Sequence, residues 1–259
     1  MHDDIAQTTQ TCAIDRLGNG WSDQAPSLQA SEQIAATLHD LLVVQGIEPP
    51  YLLAGHSAGG VHVRSFAAAY PDEVMGMLLV DSGHEAHHAQ LSDWQVEQAD
   101  GINSQLQLCS RTAPFGLVRQ LGIAAGFTEV LKLDADQSVQ FGAMFNQTHF
   151  CAASLDERLA FAADTDEMRA PASLGALPLV VLARGVGEAA DFSAETAPSS
   201  VTLADVEAAD ARWRDNQMEL ATLSSNSQLI IAEESRHFIQ ADQPELVIEA
   251  VTTLLETGR

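Results

Sequence analysis

The chain has 259 residues, of which 46% are hydrophobic, enough for one large domain with a sizeable buried core. Its formal net charge of −24, with Lys132 as the single lysine, argues against nucleic acid or an anionic membrane as a partner. No apolar run reaches the roughly 18 residues of a membrane helix and the N-terminus lacks a signal-peptide pattern, so we expect a cytoplasmic protein.

Short apolar runs alternate with helical patterns along most of the chain. The predicted strands are Thr9–Ile14, Tyr51–Ala54, Met75–Val80, Leu177–Leu182 and Gln228–Ala232. The predicted helices run from Ser31 to about Gly46, from Ser57 to Tyr70, over Leu203–Leu223 (with Trp213) and from Pro244 to Leu255. Continuous apolar strands are typical of parallel sheets buried on both faces. The alternation therefore predicts an α/β fold with a mostly parallel sheet flanked by helices.

The segment between about Glu85 and Ala170 differs from the rest of the chain. Helical periodicity recurs there without a convincing buried strand, and glycine and proline interrupt it repeatedly. We predict that residues 85–170 form a helical lid inserted after a core strand. Residues 1–84 and 171–259 would then form the core.

The most informative motif is Gly55-His56-Ser57-Ala58-Gly59, directly after a predicted strand. A G-x-S-x-G sequence between a strand and a helix is a nucleophile elbow. Its sharp turn favours small residues two positions before and after the serine, which Gly55 and Gly59 provide. The turn presents the hydroxyl of Ser57 to a base, and the backbone N–H of Ala58 is a candidate oxyanion donor.

Four motifs, in this order, together resemble the α/β-hydrolase superfamily. They are Asp15-Arg16-x-Gly-x-Gly-Trp21-Ser22-Asp23, the elbow, Leu79-Val80-Asp81, and Ser235-Arg236-His237-Phe238 followed by Asp242-Gln243-Pro244-Glu245. The resemblance spans nearly the whole chain. It implies a serine hydrolase, most similar to the esterase and lactonase-type members with a helical cap. The expected partner is a small ester-like substrate, with no cofactor and no metal.

The resemblance also implies partners for the serine. His237 lies just past the last predicted strand, where the family places its catalytic histidine, and is the predicted base. Asp81, at the end of the strand after the nucleophile strand, is the preferred acid. Most family members instead carry the acid after the next strand, where this chain offers Glu188 and Asp191. Both alternatives stay open.

The family's first three strands have no counterpart within this resemblance. The third of them is central and leads into a His-Gly segment that supplies the second oxyanion donor, and no such segment precedes Asp15. We therefore predict that the chain is truncated at its N-terminus. A catalytically impaired or fragmentary hydrolase-like protein that binds small molecules is the alternative to an active serine hydrolase.

Two other sets of residues suggest different chemistry. His84-Glu85-Ala86-His87-His88 fits H-E-x-x-H, a zinc-hydrolase pattern when both histidines lie on one helix, but here it follows a strand and a Ser82-Gly83 turn. Zinc hydrolysis is therefore a less favoured alternative. The three cysteines, Cys12, Cys109 and Cys151, show no metal-binding spacing. Cys109 and Cys151 could pair, but separate buried thiols are expected in a cytosolic protein.

Overall fold

The computed structural model describes residues 1–25, 29–120, 128, 131–167, 173–195 and 197–258. The chain divides into two compact units. The first comprises residues 1–11, 31–94 and 164–259, and the second comprises residues 12–30 and 95–163. Residues 12–30, which the sequence analysis assigned to the core, thus belong to the second unit.

A four-stranded parallel sheet forms the centre of the first unit. Its strands are β1 (Tyr51–His56), β2 (Val74–Val80), β3 (Leu179–Arg184) and β4 (Ser227–Ala232), in the order β1-β2-β3-β4. The two inner strands, β2 and β3, are buried along almost their whole length, as expected from continuous apolar runs. Four of the five predicted strands are thus confirmed, and the predicted α/β class with a parallel sheet flanked by helices is observed.

The predicted strand at Thr9–Ile14 is wrong. These residues form no helix or strand. A strand exists only where its backbone N–H and C=O groups pair with a neighbouring strand. In the described part of the chain, β1 pairs with β2 on one side and with no strand on the other, so the sheet ends at β1. The composition of residues 9–14 indicated a local preference for extended backbone, but no described strand pairs with this segment.

The four helices predicted outside the lid are observed close to their predicted bounds. None of the described helices combines the length and apolar composition needed to cross a membrane. They are α1 (His2–Ala6), α2 (Ser31–Val44), α3 (Ala58–Ala69), α4 (Asp93–Thr112), α5 (Leu117–Gln120), α6 (Ala135–Phe145), α7 (Phe150–Glu167), α8 (Leu203–Ala221), α9 (Ile239–Asp242) and α10 (Pro244–Thr257). Short 3₁₀ turns occupy Pro71–Glu73, His88–Gln90, Ala113–Phe115 and Glu188–Asp191. Side-chain capping explains where some helices begin. Thr202 and Asp205, for example, form a capping box at the N-terminus of α8.

The sheet is buried by apolar clusters that follow the alternation of side chains along its strands. Met77 and Leu78, adjacent in β2, belong to different clusters because successive strand residues point to opposite faces. The Met77 cluster includes Phe66 of α3, and the Leu78 cluster includes Leu254 of α10. Helices therefore cover both faces of the sheet and leave the carboxyl ends of its strands for the site.

The second unit is helical over most of its described residues between 95 and 163. A small apolar cluster contains Ala113, Val118 and Phe145. Cys109 of α4 and Cys151 of α7 form a disulfide, so the expectation of separate thiols is wrong. Disulfides are typical of oxidising compartments, and this one does not favour the expected cytoplasmic location.

Replacing both Cys109 and Cys151 with serine should destabilise the protein. The bond closes a loop across a sequence separation of 42 residues, and removing such a constraint on the unfolded chain costs about 3–4 kcal/mol. Urea denaturation measures this loss. The exposed Cys12 supplies the control, because Cys12→Ser should leave the midpoint unchanged. A double variant as stable as the parent would contradict the prediction.

Candidate active site

Ser57 occupies a strained turn between β1 and α3. Its φ of 54° and ψ of −123° lie in a region that non-glycine residues rarely adopt. Three backbone hydrogen bonds hold it there: Ser57 N–H donates to Val80 C=O at 3.1 Å, and Ser57 C=O accepts from Gly60 N–H at 3.0 Å and Gly83 N–H at 2.9 Å. The elbow geometry is therefore fixed from both β2 and α3.

The glycines that this turn requires differ in part from the predicted pair. A Cβ atom on Gly55 would overlap the backbone of Gly59, and one on Gly60 would overlap the side chain of Ser82. A Cβ atom on Gly59 would meet no other atom within 4 Å. The steric requirement thus falls on Gly55 and Gly60, and the prediction that Gly59 must be small is wrong.

His237 lies beside the elbow, in the loop after β4. Its backbone C=O accepts a hydrogen bond from Nε2 of His56 at 2.7 Å, and the two rings lie 4.5 Å apart. Because His56 directly precedes Ser57, this contact places the base candidate next to the nucleophile candidate. No hydrogen bond joins Ser57 Oγ to His237 among the described residues, and such bonds are often long before substrate binds.

The acid that contacts His237 is Asp81. Its Oδ2 accepts a hydrogen bond from His237 Nδ1 at 2.6 Å. An ionised carboxylate only accepts hydrogen bonds, so the imidazole proton lies on Nδ1 and leaves Nε2 free to take a proton. Oδ1 of Asp81 accepts from Trp213 Nε1 at 2.8 Å and from the backbone N–H of Arg184 at 3.1 Å.

Asp81 remains ionised although its side chain is completely buried at the end of β2. Burial by itself raises the pKa of this carboxyl. The hydrogen bond from His237, the positive charge of Arg184 and the hydrogen bond from Trp213 outweigh burial, so the pKa of Asp81 lies below its ordinary value. An ionised carboxylate therefore faces the His237 imidazole at neutral pH.

The two alternative acids lie apart from this hydrogen bond. Asp191 is exposed, and both of its carboxylate oxygens accept hydrogen bonds from Arg236, at 2.8 and 2.9 Å. That hydrogen bond is the main cause that lowers the pKa of Asp191. Glu188 is exposed, and its backbone N–H donates to Asp210. The structure thus brings Asp81 to His237, and the described hydrogen bonds join neither alternative to it.

The H-E-x-x-H segment lacks the helical geometry that a zinc site of this kind requires. His84 lies outside any helix and His88 begins a 3₁₀ turn, so they do not share a helical face. Glu85 pairs with Arg64, and Nδ1 of His84 accepts the Ala86 N–H at 3.0 Å. Within the described ranges, His, Cys, Asp and Glu side chains form no group of three that could hold a metal.

Sequence reasoning missed a buried arginine that supports the elbow. Arg64 of α3 is fully buried, and it donates to the carbonyls of Gly60 and Gly83 and to the carboxylate of Glu85. It therefore ties the loop after β2 to the helix that follows Ser57. The sequence carried a signal for this role, namely a single positive charge within an otherwise largely apolar helix segment. Such a charge must find partners when it is buried.

Comparison with known proteins shows what the chain is similar to. The model of the alpha/beta hydrolase fold matches residues 3–113. An AB hydrolase superfamily protein of Gibberella zeae is 32% identical over 106 residues, which cover 39% of this chain and 33% of that protein. An uncharacterized protein of Schizosaccharomyces pombe is 35% identical over 79 residues, 30% of this chain and 15% of that protein. The matches thus span a third or less of these relatives.

Solved structures resemble the chain over nearly its whole length. A thermophilic esterase from Thermogutta terrifontis has a TM-score of 0.55 at 20% identity, covering 94% of this chain and 78% of the other. The epoxide hydrolase CorEH has a TM-score of 0.64 at 16% identity, covering 99% and 85%. At these identities the solved structures show the fold, which is the predicted alpha/beta-hydrolase fold. The family model and the solved structures together support the predicted resemblance to the alpha/beta-hydrolase superfamily.

Two half-buried histidines near the site have lowered pKa values. The pKa of His56 is lowered to about 4, mainly by burial and then by the charge of His237. The pKa of His87 is also lowered to about 4, mainly by burial and then by the charge of His88. Both imidazoles are therefore neutral at pH 7.

The elbow provides a matched pair of variants. Gly55→Ala should destabilise the protein by about 1–3 kcal/mol, because the added methyl group overlaps backbone that cannot move away easily. Gly59→Ala should leave stability unchanged or slightly higher, because its methyl group meets open space. Urea denaturation compares the two. Equal losses, or a greater loss in Gly59→Ala, would contradict this account of the turn.

Acid should destabilise the folded state over a defined interval. The unfolded chain binds protons on His56 and His87 near pH 6.5, whereas the folded protein binds them only near pH 4. Unfolding therefore takes up protons between these values, and the free energy of unfolding falls as the pH drops from about 6.5 to about 4. Denaturation at several pH values measures the slope.

Substituting both histidines with glutamine should flatten that slope. A glutamine at position 56 keeps a side-chain N–H for the carbonyl of His237. The exposed His2 is the control, since His2→Gln should leave the slope as it is. A double variant with the parent's slope would show that other groups cause the acid sensitivity.

Proposed function

We propose that this chain hydrolyses an ester-like bond of a small molecule, with Ser57 as nucleophile, His237 as base and Asp81 as acid. The observation that carries the proposal is the 2.6 Å hydrogen bond from His237 to the buried Asp81 carboxylate, directly beside the strained Ser57 turn. Nucleophile, base and base-orienting acid are the three parts that acyl transfer through a serine requires. Here they follow the carboxyl ends of three strands of one sheet, β1, β2 and β4.

The reaction follows from the protonation state described above. Nε2 of His237 takes the proton of Ser57 as Oγ attacks the ester carbonyl, and Asp81 stabilises the imidazolium that forms. His237 then gives this proton to the leaving alcohol, and the acyl group remains on Ser57. Water, deprotonated by His237, attacks the acyl-enzyme, releases the acid and restores the serine.

The oxyanion donor proposed on this chain is the backbone N–H of Ala58. It lies at the start of the 12-residue helix α3, where N–H groups have no partner within the helix and the helix dipole favours negative charge. Among the described hydrogen bonds, none uses this N–H. Removing one oxyanion donor costs about 100- to 1000-fold in rate, so this N–H would contribute strongly to the proposed reaction.

The serine distinguishes this proposal from the chemistry of some structural neighbours. One similar structure is an epoxide hydrolase and another an esterase, so the fold alone does not choose between them. A serine rather than an aspartate at the elbow argues against epoxide hydrolase chemistry. The elbow of this chain therefore supports the esterase class.

Three variants test the roles in a panel of chromogenic esters. Ser57→Ala should abolish hydrolysis. Asp81→Asn should lower kcat by about 10⁴-fold, because the base loses its orientation and charge partner. Asp191→Asn should change the rate by less than about 2-fold, because an exposed ion pair contributes little. Near-parental turnover by Asp81→Asn would show that another residue is the acid.

A fluorophosphonate probe separates the enzyme from a protein that only binds small molecules. Covalent labelling of Ser57, located by mass spectrometry and absent in Ser57→Ala, supports the hydrolase. A folded protein that binds ligands but is not labelled would support the impaired alternative. Activity that persists in a chelator, with no zinc in the purified protein, would argue against metal hydrolysis.

A further inference from the structure

One side chain of the site, the indole of Trp213, contacts four of its polar groups. Its Nε1–H donates to Asp81 Oδ1 at 2.8 Å. Its ring lies nearly perpendicular to the rings of His237 and His87, with centroids 5.8 and 5.3 Å away. The guanidinium of Arg184 lies 5.0 Å from the ring centroid. Trp213 thus touches both the proposed acid and the proposed base.

The hydrogen bonds of Asp81 divide between its two oxygens. Oδ1 accepts from the Trp213 indole and from the Arg184 backbone N–H, while Oδ2 accepts from His237. A buried carboxylate must keep its donors, since each lost donor leaves a charge without compensation. The two donors on Oδ1 fix the rotation of the carboxylate, and that rotation decides where Oδ2 points.

Trp213 is itself held by its helix. Asp210, Trp213 and Gln217 lie three and four residues apart on α8 and therefore share one face. Asp210 accepts from the backbone N–H groups of Glu188 and Ala189 at 3.0 and 2.9 Å. Gln217 is fully buried and donates to Ser82 C=O at 2.8 Å. This polar stripe connects α8 to the loops after β2 and β3, with the indole at its centre.

Arg184 does not replace the indole in this role. Its guanidinium lies 3.6 Å from Oδ2 of Asp81, beyond hydrogen-bond distance, and 3.3 Å from Oδ1 of Asp210. The cation is therefore shared between two carboxylates. The side-chain hydrogen-bond donor on Oδ1 of Asp81 is Trp213.

We propose that Trp213 is a positioning residue, whose indole N–H fixes the Asp81 carboxylate so that Oδ2 faces His237 and whose ring restrains the imidazole. The proposal rests on the function proposed above and names the residue through which α8 acts on that site.

The kinetic test is Trp213→Phe, which keeps an aromatic ring and removes the N–H. We expect kcat to fall about 10- to 100-fold, the range for one hydrogen bond to a charged group, with KM within about 2-fold. Trp94→Phe is the matched control, because the buried Trp94 N–H has no partner in the described part of the chain, and it should leave both constants unchanged.

A double variant separates positioning from general loss of structure. In an Asp81→Asn background, Trp213→Phe should cost less than about 2-fold, because the residue through which it acts is already changed. The same fold loss in both backgrounds, or a rise in KM with unchanged kcat, would overturn the proposal.

Nuclear magnetic resonance gives a readout that needs no substrate. The chain has three tryptophans, and Trp21→Phe and Trp94→Phe each remove one indole N–H signal, so the remaining signal is that of Trp213. In Asp81→Asn, made on a chain that keeps the indole, this signal should move while those of Trp21 and Trp94 stay. An unmoved signal would overturn the proposal even if Trp213→Phe failed to fold.

The ring N–H signal of His237 completes the test. It should be sharp in the parent and in Trp94→Phe, and broadened or lost in Trp213→Phe; an unaffected signal would overturn the proposal. If these signals behave as expected but no ester is hydrolysed and Ser57 is not labelled, the proposed function fails while Trp213 still orients Asp81 toward His237.

Discussion

A buried negative charge needs donors on every side, and the carboxylate of Asp81 imposes this requirement on the elements around it. Asp81 directly follows β2. β3 provides the backbone N–H of Arg184, α8 provides the indole of Trp213, and the loop after β4 provides His237. These elements lie far apart in sequence. The register that places β2 beside β3, and β3 beside β4, is what brings them to one carboxylate.

The strained turn at Ser57 depends on the same region. Its carbonyl accepts from Gly83 N–H, so the loop after β2 carries both the proposed acid and a support for the proposed nucleophile. Arg64 of α3 links this loop to its helix by donating hydrogen bonds to Gly83 C=O and to the carboxylate of Glu85. The strain is therefore offset by bonds that form only when β1, β2 and α3 are packed together, which makes the site a property of the folded unit rather than of the motif.

Sequence patterns were informative where local chemistry decides the structure. Apolar runs predicted four strands, and the elbow motif predicted the turn at Ser57. They were less informative where a distant partner decides. The segment at residues 9–14 has the composition of a strand but no neighbouring strand to pair with. Sequence alone left Glu188 and Asp191 open beside Asp81, because the residues that Asp81 contacts lie 103 to 156 residues away along the chain. Trp213 gave no signal, since nothing in an isolated helix shows that an indole N–H will meet a buried carboxylate.

The loop after β3 is held to α8 through its backbone. Asp210 holds it through the backbone N–H groups of Glu188 and Ala189, and a main-chain contact is indifferent to the side chain that the residue carries. With Asp81 as the proposed acid, the side chains of those two residues take part in neither this anchoring nor the proposed proton transfer. These two positions can therefore vary in sequence while the loop keeps its hydrogen bonds to α8.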